Sequence, residues 1–187
     1  MTWDQLCEAL DEIDVEPQRE QRLAEYHRLL AGFLPGQEGR AETLARLAEE
    51  LGALDRTDEA RATYQQAIDD GGRTILDPLV GLLDLSLQHQ ADDADDLLAQ
   101  LLTRSRADQL VIGDYEWIAE SLEEVGRLRE ALRWFTIPLR DIQPGDIDLM
   151  PIVCLDGRWR VRRALDLPVD AYDEAHDVWH EVNGPTD

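Results

Sequence analysis

The sequence predicts an all-α protein built from antiparallel helix pairs. Apolar residues recur at helical spacing along almost the whole of the 187-residue chain, and glycine or proline interrupts them at regular intervals. Only one stretch suggests strands, because residues 152–155 and 158–161 could form two short strands around an Asp156-Gly157 turn, as in a β-hairpin. An isolated two-stranded hairpin is marginally stable, and residues 158–165 also continue a helical pattern, so we expect helix or irregular coil there.

Each predicted helix begins or ends at a recognisable signal. Thr2 is an N-cap for the first helix, and Pro17 suits the first turn of the second. Gly71 and Gly72 terminate the fourth helix, and Pro138 must end or kink the eighth. The predicted helices cover residues 3–13, 17 to about 32, 37 or 40 to 54, 57–70, 77–90, 92–104, 114–125, 128–137 and 169–182.

A sequence period runs through the middle of the chain. Ala60, Ala94 and Ala131 each lie in the second helix of a predicted pair, at separations of 34 and 37 residues. A large apolar residue follows each alanine by four positions: Tyr64, Leu98 and Phe135. The first helices carry a matching apolar pattern: Leu44, Leu47, Ala48 and Leu51 in one pair, and Tyr115, Ile118, Ala119 and Leu122 in another. Small residues let two helices approach closely, and large residues fill the spaces between them.

This pattern resembles that of the tetratricopeptide repeat. The resemblance covers residues 41–140 as three repeats, although Gly81 and Leu82 stand in reversed size order in the middle one. Residues 2–36 resemble a divergent helix pair, whose second half matches poorly, and complete an array over residues 1–140. Residues 141–187 show no repeat, so we expect a tail with a capping helix. The resemblance implies a right-handed solenoid in which the first helices line a concave groove.

The composition is strongly acidic. Asp and Glu number 41 against 18 basic residues, all of them arginine, which gives a net charge of −23. Binding to phosphates or to an anionic membrane needs a clustered positive field, so nucleic acid and membranes are not expected as partners. The first residues lack the basic and apolar regions of a signal peptide, and no run of 18 apolar residues occurs. We therefore expect a cytoplasmic protein with reduced cysteines.

No catalytic or cofactor motif is recognisable, so the sequence predicts a non-enzymatic protein without a cofactor. A glycine-rich phosphate loop, a GxSxG nucleophile and a Cys-His-acid arrangement are all missing. His176 and His180 stand four residues apart, which places both imidazoles on one helix face, where a divalent metal could bridge them. The HExxH motif is absent and the sequence identifies no third ligand, so we expect solvated histidines and no metal site.

Acidic residues mark the predicted groove. On the first helices, the positions that face away from the packing residues are Asp4, Glu8, Asp11, Glu42, Glu49, Glu116, Glu120 and Glu123. These residues predict a basic protein or peptide partner. The alternative is that this face only shares the general acidity of the protein.

Two further features predict contacts with a partner or within the chain. The fifth helix is apolar nearly all round, so Leu79 and Leu83 lie either beneath the chain's own tail or in a partner or dimer contact. Trp159 stands among four arginines at 158–163, chemistry typical of interfaces, although this cluster could dock on the acidic face of the same chain. The sequence thus predicts an adaptor whose groove has acidic walls and an apolar centre. The alternatives are a self-associating structural protein and an acidic mimic that sequesters a nucleic-acid-binding partner.

Overall fold

The computed structural model describes residues 2–184, and all regular structure within that range is helical. The α-helices are α1 (Trp3–Asp14), α2 (Arg19–Leu30), α3 (Arg40–Ala53), α4 (Thr57–Asp70), α5 (Pro78–Gln88), α6 (Ala94–Arg106), α7 (Ile112–Glu124), α8 (Leu128–Thr136), α9 (Ile152–Ala164) and α10 (Ala171–Asn183). Two single 3₁₀ turns, Ile137–Leu139 and Ile147–Leu149, lie between α8 and α9. The all-α prediction is confirmed. Among the described residues, no helix has the length and hydropathy of a transmembrane span.

Side chains cap several helix N-termini. The Thr2 hydroxyl accepts from the Gln5 N–H at 3.3 Å, while the Gln5 side chain accepts from the Thr2 N–H at 2.9 Å. Asp77 caps α5 immediately before Pro78, and Asp170 caps α10 through two backbone N–H groups. The caps satisfy donors that the first helical turn leaves unpaired, so these helices begin where the sequence supplies a short polar side chain.

One turn geometry recurs at five points of the described chain. A residue with positive φ follows each of α3, α5, α6, α7 and α9: Asp55, Gln90, Asp108, Gly126 and Asp166. The next N–H donates to the carbonyl five residues earlier, at 2.8–3.1 Å: Arg56 to Leu51, Ala91 to Ser86, Gln109 to Arg104, Arg127 to Leu122 and Leu167 to Arg162. This is the Schellman arrangement. The pairs α3/α4, α5/α6, α7/α8 and α9/α10 are therefore joined in the same way, and the same turn joins α6 to α7.

The structure answers two questions from the sequence: how the chain continues at Pro138, and whether the stretch around Gly157 is a hairpin or a helix. Helix α8 ends at Thr136 and the chain continues as a 3₁₀ turn that contains Pro138, as a proline without an N–H requires. Residues 152–164 form α9, so the hairpin alternative for this stretch is wrong and the helical interpretation is confirmed. Gly157 lies inside the helix, where the ring of Phe135 occupies the space beside it.

The chain divides into two compact units, unit 1 (Met1–Thr103) and unit 2 (Arg104–Asp187), and the division falls within α6. The end of the repeat pattern at residue 140 does not coincide with this division. In unit 1, α3 packs most extensively against α4 and also contacts α2 and α5. One core of this unit contains Leu6, Leu10, Leu23, Tyr26, Leu47, Leu51, Ala60 and Leu85.

In unit 2, α7 and α8 pack against each other, α9 packs on both, and α10 packs on α9. A core cluster of Leu139, Met150, Leu155 and Ala175 joins the 3₁₀ segments to α9 and α10. The Tyr172 hydroxyl donates to the carbonyls of Leu139 and Ile142 at 3.0 and 2.9 Å, respectively. Residues from this C-terminal part of the chain thus contribute to the core of unit 2.

Candidate functional site

The acidic residues that the sequence places on α1 are exposed. Asp4, Glu8 and Asp11 lie at the solvent-facing positions of this helix, whereas Leu6 and Leu10 are buried. Their carboxylates add to the negative charge of the surface around α1.

The acidic residues that the sequence places on α3 belong instead to the interior. Glu42 is 2% exposed, and its carboxylate accepts from Arg46 Nε at 3.0 Å and from the Ile75 N–H at 2.8 Å. The prediction that Glu42 lines an open groove is wrong, because its side chain joins α3 to the segment that precedes α5. Glu49 is half-buried, and burial raises its pKa to about 7, against the opposing effect of Arg46.

A polar network connects the first three helices. Arg46 on α3 approaches Asp14 at 3.6 Å, and the Tyr26 hydroxyl on α2 donates to the same Asp14. Arg22 on α2 forms an ion pair with Glu50 on α3 at 2.9 Å. Arg46 and Glu50 on α3 are thus paired with charged groups of the first two helices. The sequence pattern did not indicate this pairing.

Leu79 and Leu83 on α5 are 3% and 0% exposed. They are therefore interior residues, and the alternative that they form an exposed partner contact is wrong. Beside them, Gly81 lies against the ring of Tyr64 on α4. The apolar character of α5 on all sides reflects a helix that is buried along most of its length.

The acidic residues of α7 are partly neutralised within unit 2. The Arg160 guanidinium on α9 donates to both carboxylate oxygens of Glu123, at 2.9 and 2.7 Å, and approaches Glu120 at 3.9 Å. Burial, followed by the charge of Glu120, raises the pKa of Glu116. Arg160 thus docks on the acidic face of the same chain, as the second interpretation of the arginine cluster predicts.

The remaining arginines around Trp159 are also engaged within unit 2. Arg158 donates to Asp170 at 2.6 Å and to Asp173 at 3.3 Å, and Arg162 pairs with Asp173 at 2.9 Å. The Arg163 guanidinium lies 4.2 Å from the Trp159 ring centroid. This cluster holds α9 against the N-terminus of α10, where Asp170 and Asp173 also form the capping box.

An open groove in unit 1, the α1–α2 groove, has a volume of about 820 Å³. Its apolar lining includes Ala9, Ile13, Ala24, Leu29 and Phe33. Its charged lining consists of Glu12, Glu16, Glu25 and Arg28, of which the last two form an ion pair. No motif or repeat position in the sequence indicated these residues as a site. The only signal in the sequence was the poor match of residues 17–31 to the second helix of a repeat.

A second feature lies in unit 2, where α9 and α10 bring together Asp156, His176 and His180, hereafter the Asp-His-His cluster. The Asp156 Oδ1 lies 3.4 Å from His176 Nε2 and 3.0 Å from His180 Nε2. One ligand atom from each residue lies within 4.8 Å of the other two. These three residues could hold a metal ion. The spacing of the two histidines was visible in the sequence, but the contribution of Asp156, which lies 24 residues before His180, was not.

Trp159 forms one side of the Asp-His-His cluster. Its ring is stacked on His176, with centroids 4.4 Å apart and an interplanar angle of 13°. The predicted partner-binding tryptophan thus has its own partners within unit 2.

Comparison with known proteins gives no family assignment: no family model matches the chain, and no curated protein or solved structure shows significant similarity to it.

Proposed function

We propose that the protein is a non-enzymatic adaptor of the tetratricopeptide-repeat type that binds a protein or peptide partner. The recurring turn that joins four helix pairs supports a repeat architecture. Ala60 and Ala131 are 0% exposed, as the small positions of such repeats require. One element of the pattern also occurs in α10, although the sequence after residue 140 shows no full repeat: the buried Ala175 is followed four residues later by Trp179.

The α1–α2 groove is the observation that carries the binding function. Its apolar floor suits the apolar face of a helical segment, and Glu12 and Glu16 suit basic residues at the edges of that face, whereas Glu25 pairs with Arg28 in the groove lining. With a net charge of −23, the protein attracts basic segments over a longer range. We infer that the occupant is an amphipathic helix with leucine-like residues at helical spacing and Lys or Arg on its flanks.

The half-buried and buried groups argue for binding rather than catalysis. Burial raises the pKa of the Cys154 thiol to about 12, which keeps it protonated and a poor nucleophile at neutral pH. The residues that line the groove include carboxylates. None of the other described lining residues is a general base or a nucleophile.

Site-specific photo-crosslinking tests this proposal. A photoreactive side chain is placed at Ala24, which is exposed in the groove, and for comparison at Ala62, which is exposed on α4. In extract of the source cells, we expect one discrete adduct from position 24 and none from position 62. Equal labelling from both positions would contradict the proposal.

The partner segment identified in this way then allows a quantitative test. Ala24→Phe fills the groove and should weaken binding at least about 10-fold, a free-energy change of about 1.4 kcal/mol. Ala62→Phe is the matched control and should bind as the wild type does. Glu12→Gln should reduce binding more at low than at moderate salt, since screening already weakens the interaction at moderate salt.

Light scattering separates the alternatives. If the adduct is a second copy of this chain and the protein is dimeric, the self-associating structural function holds instead. If the partner is a nucleic-acid-binding protein that loses its nucleic acid when this protein is added, the acidic-mimic function holds.

A further inference from the structure

The Asp-His-His cluster joins two helices through three ligand-bearing side chains. His176 and His180 lie one turn apart on α10, and Asp156 faces them from α9. Tetrahedral zinc with bonds of about 2.0–2.1 Å places its ligand atoms about 3.3 Å apart. The Asp156 Oδ1 already lies 3.4 and 3.0 Å from the two Nε2 atoms. Two of the three distances between ligand atoms therefore already match this geometry, and the third is within 4.8 Å.

The other nitrogen of each imidazole determines what the facing nitrogen can do. His176 Nδ1 lies 3.1 Å from a carboxylate oxygen of Asp177, and His180 Nδ1 lies 3.4 Å from the Gly184 carbonyl. Both partners only accept hydrogen bonds, so each can accept the proton of an Nδ1–H tautomer. In that tautomer each Nε2 lone pair is available to a cation beside Asp156. In the other tautomer each Nε2–H donates to the Asp156 carboxylate instead.

These Nδ1 contacts are also the outer-shell contacts that metal-binding histidines use. A carboxylate or a backbone carbonyl that accepts from the distal ring nitrogen fixes the ring orientation and increases the basicity of the metal-binding nitrogen. Asp177 plays this part for His176, and the Gly184 carbonyl at the C-cap of α10 plays it for His180.

Aromatic side chains restrict the two imidazoles further. Trp159 on α9 is stacked on His176, and Trp179 on α10 meets His180 edge-on, with ring centroids 4.9 Å apart. The side chain of His176 is 10% exposed, whereas those of His180 and Asp156 are 24% and 28% exposed. The cluster is thus walled by aromatic rings on one side and accessible to a small ion from solvent.

We propose that Asp156, His176 and His180 bind one divalent transition-metal ion, with zinc as the representative, which bridges α9 and α10. Two imidazoles and one carboxylate suit zinc and its neighbours, whereas Mg²⁺ and Ca²⁺ prefer oxygen ligands alone. Three protein ligands leave the fourth position of a tetrahedral ion for water or a partner side chain. With Asp156 and Asp177, the ion forms a locally neutral group. This inference is independent of the α1–α2 groove.

Zinc binding to the full-length protein provides the test. Zn²⁺ is titrated against a chromophoric chelator in excess Mg²⁺, because Mg²⁺ occupies carboxylate sites on this acidic surface without competing for imidazole. We expect one equivalent of tightly bound Zn²⁺ and a higher unfolding temperature in its presence. Binding should weaken at pH 5, since protons compete with the metal for the imidazole nitrogens.

Substitutions assign the site. His180→Ala and Asp156→Asn should each lower zinc affinity by more than about 10-fold, and Asp177→Ala by about 10–100-fold, as for outer-shell partners in general. His27→Ala and His89→Ala replace exposed histidines of unit 1 and should bind as the wild type does. If His180→Ala and Asp156→Asn keep their helical circular dichroism and also keep wild-type affinity, the zinc lies on surface carboxylates and the proposal is overturned.

Histidine ¹⁵N NMR of the wild type keeps the proposal testable if these variants do not fold. Zn²⁺ should shift the Nε2 resonances of His176 and His180 and leave those of His27 and His89 unchanged. A metal-free spectrum with both Nε2 atoms protonated, unchanged by Zn²⁺, would mean that the cluster is a charged histidine–aspartate group without a metal.

Discussion

The aromatic ring of Phe135 on α8 occupies the space in which a Cβ atom of Gly157 on α9 would lie. Tyr64 on α4 stands in the same relation to Gly81 on α5. In each case the second helix of one pair inserts an aromatic ring against the backbone of the next helix. The absence of a side chain at the glycine is therefore what permits the close approach of these helices.

Replacing Gly157 by alanine should destabilise the protein by roughly 1–3 kcal/mol, because the new methyl group meets a ring that is fully buried and has no space to move. Alanine inside a helix is otherwise favoured over glycine by about 0.5–1 kcal/mol, so a net loss identifies the ring contact.

Gly52→Ala in α3 is the matched control for chemical denaturation. The nearest atom to its new Cβ, on Leu85, is at an ordinary 3.5 Å, so this variant should be at least as stable as the wild type. Equal stability of both glycine variants would show that Phe135 does not restrict α9.

Ala60→Leu and Ala131→Leu test the small positions of the helix pairs. Both alanines are 0% exposed, so the larger side chain should destabilise the fold by about 1–3 kcal/mol through overpacking. Ala62→Leu, at an exposed position on α4, should leave the unfolding midpoint nearly unchanged. Neutral behaviour at both buried sites would mean that the repeat register is misassigned.

Arg158→Met tests the ion cluster between α9 and α10. Arg158 is 6% exposed, and its removal leaves the buried Asp173 with Arg162 as its remaining arginine, so we expect a loss of about 3 kcal/mol. Arg140→Met removes an exposed pair with Asp141 and should produce no measurable change.

Arg158→Met should also change how the free energy of unfolding depends on pH in the acid range. Burial raises the pKa of Asp170, but hydrogen bonding and charge from Arg158 outweigh this effect and hold the pKa below its ordinary value. The resulting stabilisation is present above the unfolded-state pKa and is lost as pH falls through the folded-state value. In Arg158→Met, the free energy of unfolding should therefore fall less as the pH is lowered than it does in the wild type. If the two proteins lose stability equally in acid, Arg158 does not lower the pKa of Asp170.

Glu49 should produce the opposite dependence on pH. Because burial raises its pKa to about 7, the folded state binds a proton that the unfolded state has released between about pH 4.5 and pH 7. Stability from this group therefore decreases as pH rises through that window. Glu49→Gln should remove the decrease and increase stability at pH 8 by on the order of 2–3 kcal/mol.

Urea denaturation at pH 5 and pH 8 measures this difference. Glu8→Gln, at an exposed position on α1, is the control and should shift both values equally. A wild type and a Glu49→Gln variant with parallel stability curves would show that Glu49 is ionised in the folded protein throughout.

The helices could be predicted from the sequence because their causes are local. Periodic apolar residues, the Thr2 cap and the interruption at Pro138 act within a few residues of chain, and the structure places helices accordingly. Only α9 was left open, since an Asp-Gly pair inside a helix has the same sequence as a hairpin turn. Its contact with Phe135 lies 22 residues away, beyond the reach of local patterns.

The position of each charge was decided by tertiary structure. Glu8 and Glu49 have equivalent places in the sequence pattern, yet Glu8 is exposed whereas Glu49 is half-buried, and burial raises its pKa to about 7. Likewise, the spacing of His176 and His180 follows from helix geometry, but Asp156 joins them only because α9 packs on α10. Spacing along one helix determines which side chains share a face. The axial rotation and separation of two helices depend on the packing of all the side chains between them, and these decide which faces meet.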